Sequence, residues 1–171
     1  MDCAGSVGQV SEKDLLVRRL AGQRRHVLDQ IEGLSDDQLR VAVLPSGWSI
    51  LGLLRHLTLS DERYWFEVIV AGGPLDFWPE DETSEWQVGP DEPAQLVIDN
   101  YQAAIANSEA IVAARSLDDP PATTEDWWAS AGMSFPDLRS VIVHVLVETA
   151  NHAGHLDAVR EILDGKQYIV L

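Results

Sequence analysis

The residues best suited to chemistry gather in the C-terminal third of this 171-residue chain. At alternating spacings of four and three, one stretch reads Val141, Val145, Glu148, His152, His155, Val159, Ile162. Apolar side chains hold both ends of that seam, and ionisable ones hold its middle. A buried ionisable group is costly unless it is paired or binds a metal. Glu148 and His152 lie four apart, so on a helix they share a face one turn apart and can reach one ion. His56 offers a third donor from within the apolar run Leu53-Leu54-Arg55-His56-Leu57. Two imidazoles and a carboxylate, with room for water, make the ligand set of an open, catalytic-type metal site. Such nitrogen and oxygen donors suit zinc, nickel, iron or manganese. The same residues also fit a salt-bridged core, and spacing leaves both readings open. His144 and His155 extend the ladder on either side. They read as hydrogen-bonding support for a ligand or as residues of the cavity rim.

Helices must carry these side chains. The pattern predicts one over 11–33, started by Ser11 with Asp14 as its N3 acid and apolar at Leu16, Leu20, Val27 and Ile31. Ser35-Asp36-Asp37-Gln38 can start a further turn. A second helix is predicted over 48–71, with Ser49 as its cap and Gly72-Gly73-Pro74 ending it. A third runs from Glu92 or Pro93, a good first helical residue, to about Ser116, with a stripe of Val97, Tyr101, Ile105, Ser108 and Val112. The fourth opens at Ser134 or Phe135-Pro136 and ends at Asp164-Gly165. No convincing strand alternation is present. The expected fold is therefore all-α, a four-helix bundle with long loops between helices 2 and 3 and between helices 3 and 4. Residues 1–10 read as a flexible tail and 11–171 as one domain.

The loops hold Trp78, Trp86, Trp127 and Trp128, which line a pocket mouth or cap the bundle. Asp61-Glu62-Arg63 reads as a salt bridge inside the bundle, and Tyr64-Trp65-Phe66 as core packing. The apolar residues 168–171 are expected to dock on the bundle or on a partner.

Composition narrows the function. Twelve basic residues against 28 acidic ones give a net charge of −16, which argues against coating nucleic acid or an anionic membrane. Cys3 is the single cysteine, so no intrachain disulfide can form, as suits a reducing compartment. No secretory pattern opens the chain, and no apolar run approaches the ~20 residues of a bilayer span. A cytoplasmic protein is expected. The chain has no Gly-rich phosphate loop, no G-x-S-x-G elbow and no cysteine-based zinc spacing.

Two long motifs carry a family resemblance. Trp48-Ser49-Ile50-Leu51-Gly52-Leu53-Leu54-Arg55-His56-Leu57, followed by Glu62-Arg63-Tyr64-Trp65-Phe66, resembles the W-S-x-x-G-L-x-x-H-L…E-R-x-W-F run of the DinB/YfiT-like superfamily, in its actinobacterial DinB-like branch. The stretch from His144 through Glu148, His152, Gly154 and His155 to Asp157, then Arg160-Glu161 and Asp164-Gly165, is similar to that group's H-M-x-x-E-x-A-R-H-x-G-H-x-D…R-E…D-G. The resemblance implies a four-helix bundle, often a homodimer, with a divalent metal held by His56, Glu148 and His152. Many members use three histidines; Glu148 stands at the second. Asn151 stands where relatives often carry arginine, at the rim of the site.

The resemblance also implies a mycothiol-type S-transferase joining a small-molecule thiol to small electrophiles in stress or detoxification. An open metal lowers the pKa of a bound thiol, so the thiolate forms near neutral pH. Ten of the twelve basic residues are arginine, a bias that fits an actinobacterial host and hence mycothiol. A metal-dependent hydrolase would use the same ligands. A non-catalytic helical bundle that binds a small molecule or a partner, or a dimeric scaffold, is the remaining alternative.

Overall fold

The computed structural model describes residues 10–79, 81 and 84–168. The predicted tail, Cys3 and the last three apolar residues fall outside them, except Val10 of the tail, which is exposed and non-helical. The regular elements among the described residues are all helical, with no strands. They are α1 (Glu12–Ile31), the short α2 (Asp36–Arg40), α3 (Ile50–His56), α4 (Ala94–Ala113), the short α5 (Trp127–Ser130) and α6 (Leu138–Asp164). Helix α3 continues without a break into a π-helical stretch, Leu57–Val70. A single 3-10 turn, Ser84–Trp86, interrupts the loop before α4. No helix is long and apolar enough to cross a membrane among the described residues.

Local chemistry explains the boundaries. Ser11 caps α1 by accepting from the Asp14 N–H at 3.1 Å. Ser35 and Gln38 form a full capping box on α2. Ser49 caps α3 through the Gly52 N–H, also at 3.1 Å. Pro93, expected as the first helical residue, is instead the N-cap of α4 with extended backbone. The fourth predicted helix starts later than Phe135-Pro136. Asp137 caps it, exchanging bonds with Ser140 in a capping box, because the proline holds the chain extended up to that point. Gly165 ends α6 in the left-handed conformation, at φ 77°.

Helix α1 lies along α6, and α4 lies along the π-helical stretch, which also meets α6. Two apolar clusters result. One surrounds Trp65, Phe66, Ile69, Leu138, Val141, Ile142 and Val145. The other surrounds Leu51, Leu53, Leu54, Leu57, Tyr101, Ala153, Leu156 and Val159. Between them, in sequence and in space, runs a belt of buried polar residues: Arg24, Thr58, Asp61, Glu62, Ser108 and Thr149. Arg24 grips Glu62 bidentately, at 2.7 and 2.6 Å. Ser108 and Thr149 turn their hydroxyls back onto the carbonyls of Ala104 and Val145.

The α6 seam differs from its heptad reading. Thr149, not Glu148, occupies the dry centre with no exposed surface, and the buried line continues through Ala153, Leu156 and Val159. Glu148 and His152 flank that line half-buried, His155 is exposed, and Ile162 is 59% exposed. A straight helix turns every 3.6 residues, so a 3.5-residue template drifts off the true buried face over 27 residues.

Candidate functional site

The site lies where α3 passes into its π-helical continuation. The winding matters. At about 100° per residue, an α-helix would carry Asp61 roughly 140° around from His56 and put Trp65 on the opposite side. The i→i+5 bonding of a π-helix gives about 4.4 residues per turn, which brings Asp61 to within roughly 50° of His56 and Trp65 to within about 20°. The Ala71 N–H to Phe66 carbonyl bond, 3.0 Å, is one of these five-residue links. His56, Ser60, Asp61, Tyr64 and Trp65 accordingly line one cavity, of about 460 Å³. Helix α6 contributes His144 and Glu148, α5 contributes Trp127, and the loops contribute Leu75, Trp78 and Met133.

His152 joins from α6, its ring centroid 4.9 Å from that of His56 in an edge-on contact. The structure therefore brings His56 against His152, and places His56, Glu148 and His144 on one cavity wall. Among the described residues, no three His, Cys, Asp or Glu side chains are gathered tightly enough to grip an ion as they stand. The donor chemistry does fit one. Burial pushes the imidazoles of His56 and His152 down to about 4, so both rings are neutral at pH 7. That is the ligating form of imidazole. His144 is lowered by burial too, and its ring packs on the edges of Trp65 and Phe135. His155 stands 6.2 Å from His152, ring to ring, on the exposed side.

Three contributors, Glu85, Gly52 and Asp61, had no site role in the sequence reading, which left Trp86 at a pocket mouth or as a cap. Glu85 brings a carboxylate oxygen to 3.4 Å from His56 Nδ1, and Trp86 stacks on the imidazole at 3.9 Å between centroids. A carboxylate against the second nitrogen of a ligating histidine fixes ring orientation and raises basicity. Gly52 makes this possible. A Cβ at Gly52 would sit 2.1 Å from the Trp86 carbonyl oxygen, so the 84–86 turn can seat over α3 only against a glycine. Gly52→Ala should lift that turn off His56, giving a red-shifted tryptophan emission and quicker modification of His56 by diethyl pyrocarbonate; unchanged values for both would refute the seating role. The third contributor is Asp61, 2% exposed. Burial, then the neighbouring Glu62 and Glu148 charges, hold its carboxyl well above the usual carboxylate range.

Other residues take structural posts. Glu62 makes the buried salt bridge expected of the Asp61-Glu62-Arg63 triplet, with Arg24. Arg63 instead lies over the Phe77 ring at 3.6 Å and reaches Glu67. Trp128 stacks on Trp65 inside the core, while Trp78 and Trp127 line the cavity. Tyr168 docks on the bundle, stacked on His26 at 3.5 Å; His26 in turn holds Asp157 at 2.7 Å. A larger cavity, about 530 Å³, lies between the π-helical stretch and α4. Its two arginines are engaged, Arg55 with Glu92 and Arg63 with Glu67.

An all-helical domain with a half-buried histidine and carboxylate cavity under an aromatic mouth is what the fold and site define. Residues 15–165 match the family model described as Mycothiol-S-transferase, and the chain belongs to that family, in agreement with the DinB-like motifs. A comparison with curated proteins found no match.

Proposed function

We propose that this protein is a divalent-metal-dependent S-transferase that joins mycothiol to small electrophiles, in stress or detoxification. The observation that carries the reading is the ring contact of His56 with His152, where His56 and Glu148 line one cavity, in a chain of the mycothiol S-transferase family. His56, Glu148 and His152 would hold the ion, with zinc favoured over nickel, iron and manganese. A bound ion supplies Lewis acidity that keeps a thiol ionised near neutral pH. We further infer the four-helix bundle of that family for the long helices of residues 11–171, a homodimer, and a cytoplasmic setting.

The chain's own residues do the rest. Glu85 and Trp86 fix the His56 ring. Tyr64, Trp65, Leu75, Trp78, Trp127 and Met133 give the electrophile an apolar, aromatic bed that sheds water. None of the described residues lining this cavity is lysine or arginine, and Asp61 and Glu148 face into it. A neutral electrophile is therefore favoured over a carboxylate-bearing one.

The test is elemental analysis of untagged protein, followed by thiol conjugation with a neutral chloronitroarene and its benzoate analogue. About one ion per chain, turnover that requires both ion and mycothiol, and at least about tenfold preference for the neutral substrate are expected. Turnover without thiol would turn the assignment to a hydrolase. Absence of any ion after incubation with zinc, nickel and manganese would leave a small-molecule-binding bundle.

A further inference from the structure

We propose that Asp61 is a fourth protein donor of the cation site, making the set two imidazoles and two carboxylates. This rests on the reading that His56, Glu148 and His152 hold a divalent ion, and deepens it. Asp61 lies in the buried polar belt and lines the cavity shared by His56, Glu148 and His144. Among the described residues it accepts one long hydrogen bond, from Thr149 Oγ1 at 3.3 Å. That hydroxyl has a single proton, and the Val145 carbonyl competes for it from 2.8 Å. The nearest guanidinium cannot serve either. Arg24 is committed to both oxygens of Glu62. Among the described residues Asp61 makes no ion pair; the charges that act on it most, Glu62 and Glu148, are of its own sign, and the opposite charge of Arg24 acts more weakly.

A carboxylate this deep, this poorly bonded and this close to like charge lacks a cation. A divalent ion in the cavity balances Asp61 and Glu148 charge for charge. The π-helical winding is what turns Asp61 toward His56, and π-helical segments recur at functional sites for this kind of re-aiming. The added oxygen makes the set harder than the three-donor one, which suits manganese or iron as well as zinc.

Asp61→Asn tests the assignment. Asparagine keeps the shape and can still meet Thr149, but loses the charge and ligates weakly. Zinc affinity, read by competition with a chromophoric chelator, should fall at least about tenfold. The melting temperature should change in opposite directions in the two states. Metal-free Asp61→Asn should melt above the metal-free parent, because the like-charge burial is relieved; with saturating zinc it should melt below the zinc-loaded parent. Zinc affinity within twofold of the parent would overturn the proposal and leave Asp61 as a protonated acid of the belt. His152→Ala run beside it separates the two readings. If it also keeps its zinc, the metal site itself fails; if it loses zinc while Asp61→Asn does not, only the Asp61 assignment fails. Should the asparagine variant not fold, Asp61→Ser carries the same comparison.

Discussion

His152→Ala is expected to lose the bound ion and thiol conjugation together, with kcat/KM falling by about three orders of magnitude or more. Lewis-acid stabilisation by a bound ion is worth several kcal/mol, and each ~1.4 kcal/mol is a factor of ten. His152 is a favourable place to make the cut. It is half-buried at the edge of the α6 buried line, so no large core void follows. Alanine is the best helix former, so α6 should keep its shape. The ring's aromatic contacts among the described residues are with His56, Trp86 and His155. Metal-free His152→Ala should therefore melt within a few degrees of the metal-free parent, which separates loss of site from loss of fold. His155→Ala provides the contrast. That ring is exposed, and the variant should retain both ion and turnover. Full conjugation by His152→Ala would sink the metal-centred reading. Equal damage from His155→Ala would move a ligand role to the exposed ring.

Arg24→Met should be the most destabilising single change in the belt. Arg24 and Glu62 are almost fully buried and joined by two short bonds. Removing one partner of such a pair leaves an uncompensated charge and costs about 3–5 kcal/mol. Here the stranded carboxylate would face Asp61 as well. For a domain of this size each kcal/mol shifts the melting temperature by about 2–4 °C, so a drop of roughly 10 °C is expected in thermal melts. The double variant Arg24→Met with Glu62→Leu should recover most of that loss, since an apolar pair of similar volume avoids desolvating either charge. The lost contact of the guanidinium with Phe66, at 5.7 Å, sets a ceiling on the recovery. A single variant melting within 2 °C of the parent would show that the pair is not the anchor it looks to be.

Much of this was legible in the residues. Caps and breakers announced themselves locally, as with Ser11, Ser49 and Gly165, because a cap acts on neighbours three or four positions away. His56, His152 and Glu148 stood out because ionisable residues inside apolar runs break a strong pattern. The π-helical winding left no such mark. It arises from packing along the whole helix, and no residue type signals i→i+5 bonding. Reading that stretch with α-helical geometry gave Asp61 no place beside His56, so it was assigned to a salt bridge; Trp65 is in the core, as expected, and lines the cavity as well. Glu85 and Gly52 were hidden for another reason. Their roles depend on a loop folding back across about thirty residues, and only the assembled structure shows the carbonyl of Trp86 resting where a Cβ would stand. The heptad reading of α6 erred by accumulation, a small angular error repeated over many turns.

The polar belt acts as a vernier for the whole molecule. Apolar layers made of leucine and valine are nearly interchangeable, and helices that share only such layers can settle in more than one axial setting. Here a slip of one turn, about 5.4 Å, would drive Arg24, Asp61 or Glu62 into a layer with nothing to receive it. One setting is thereby selected, at some cost in stability. It is the setting that holds His56 level with Glu148 and His152.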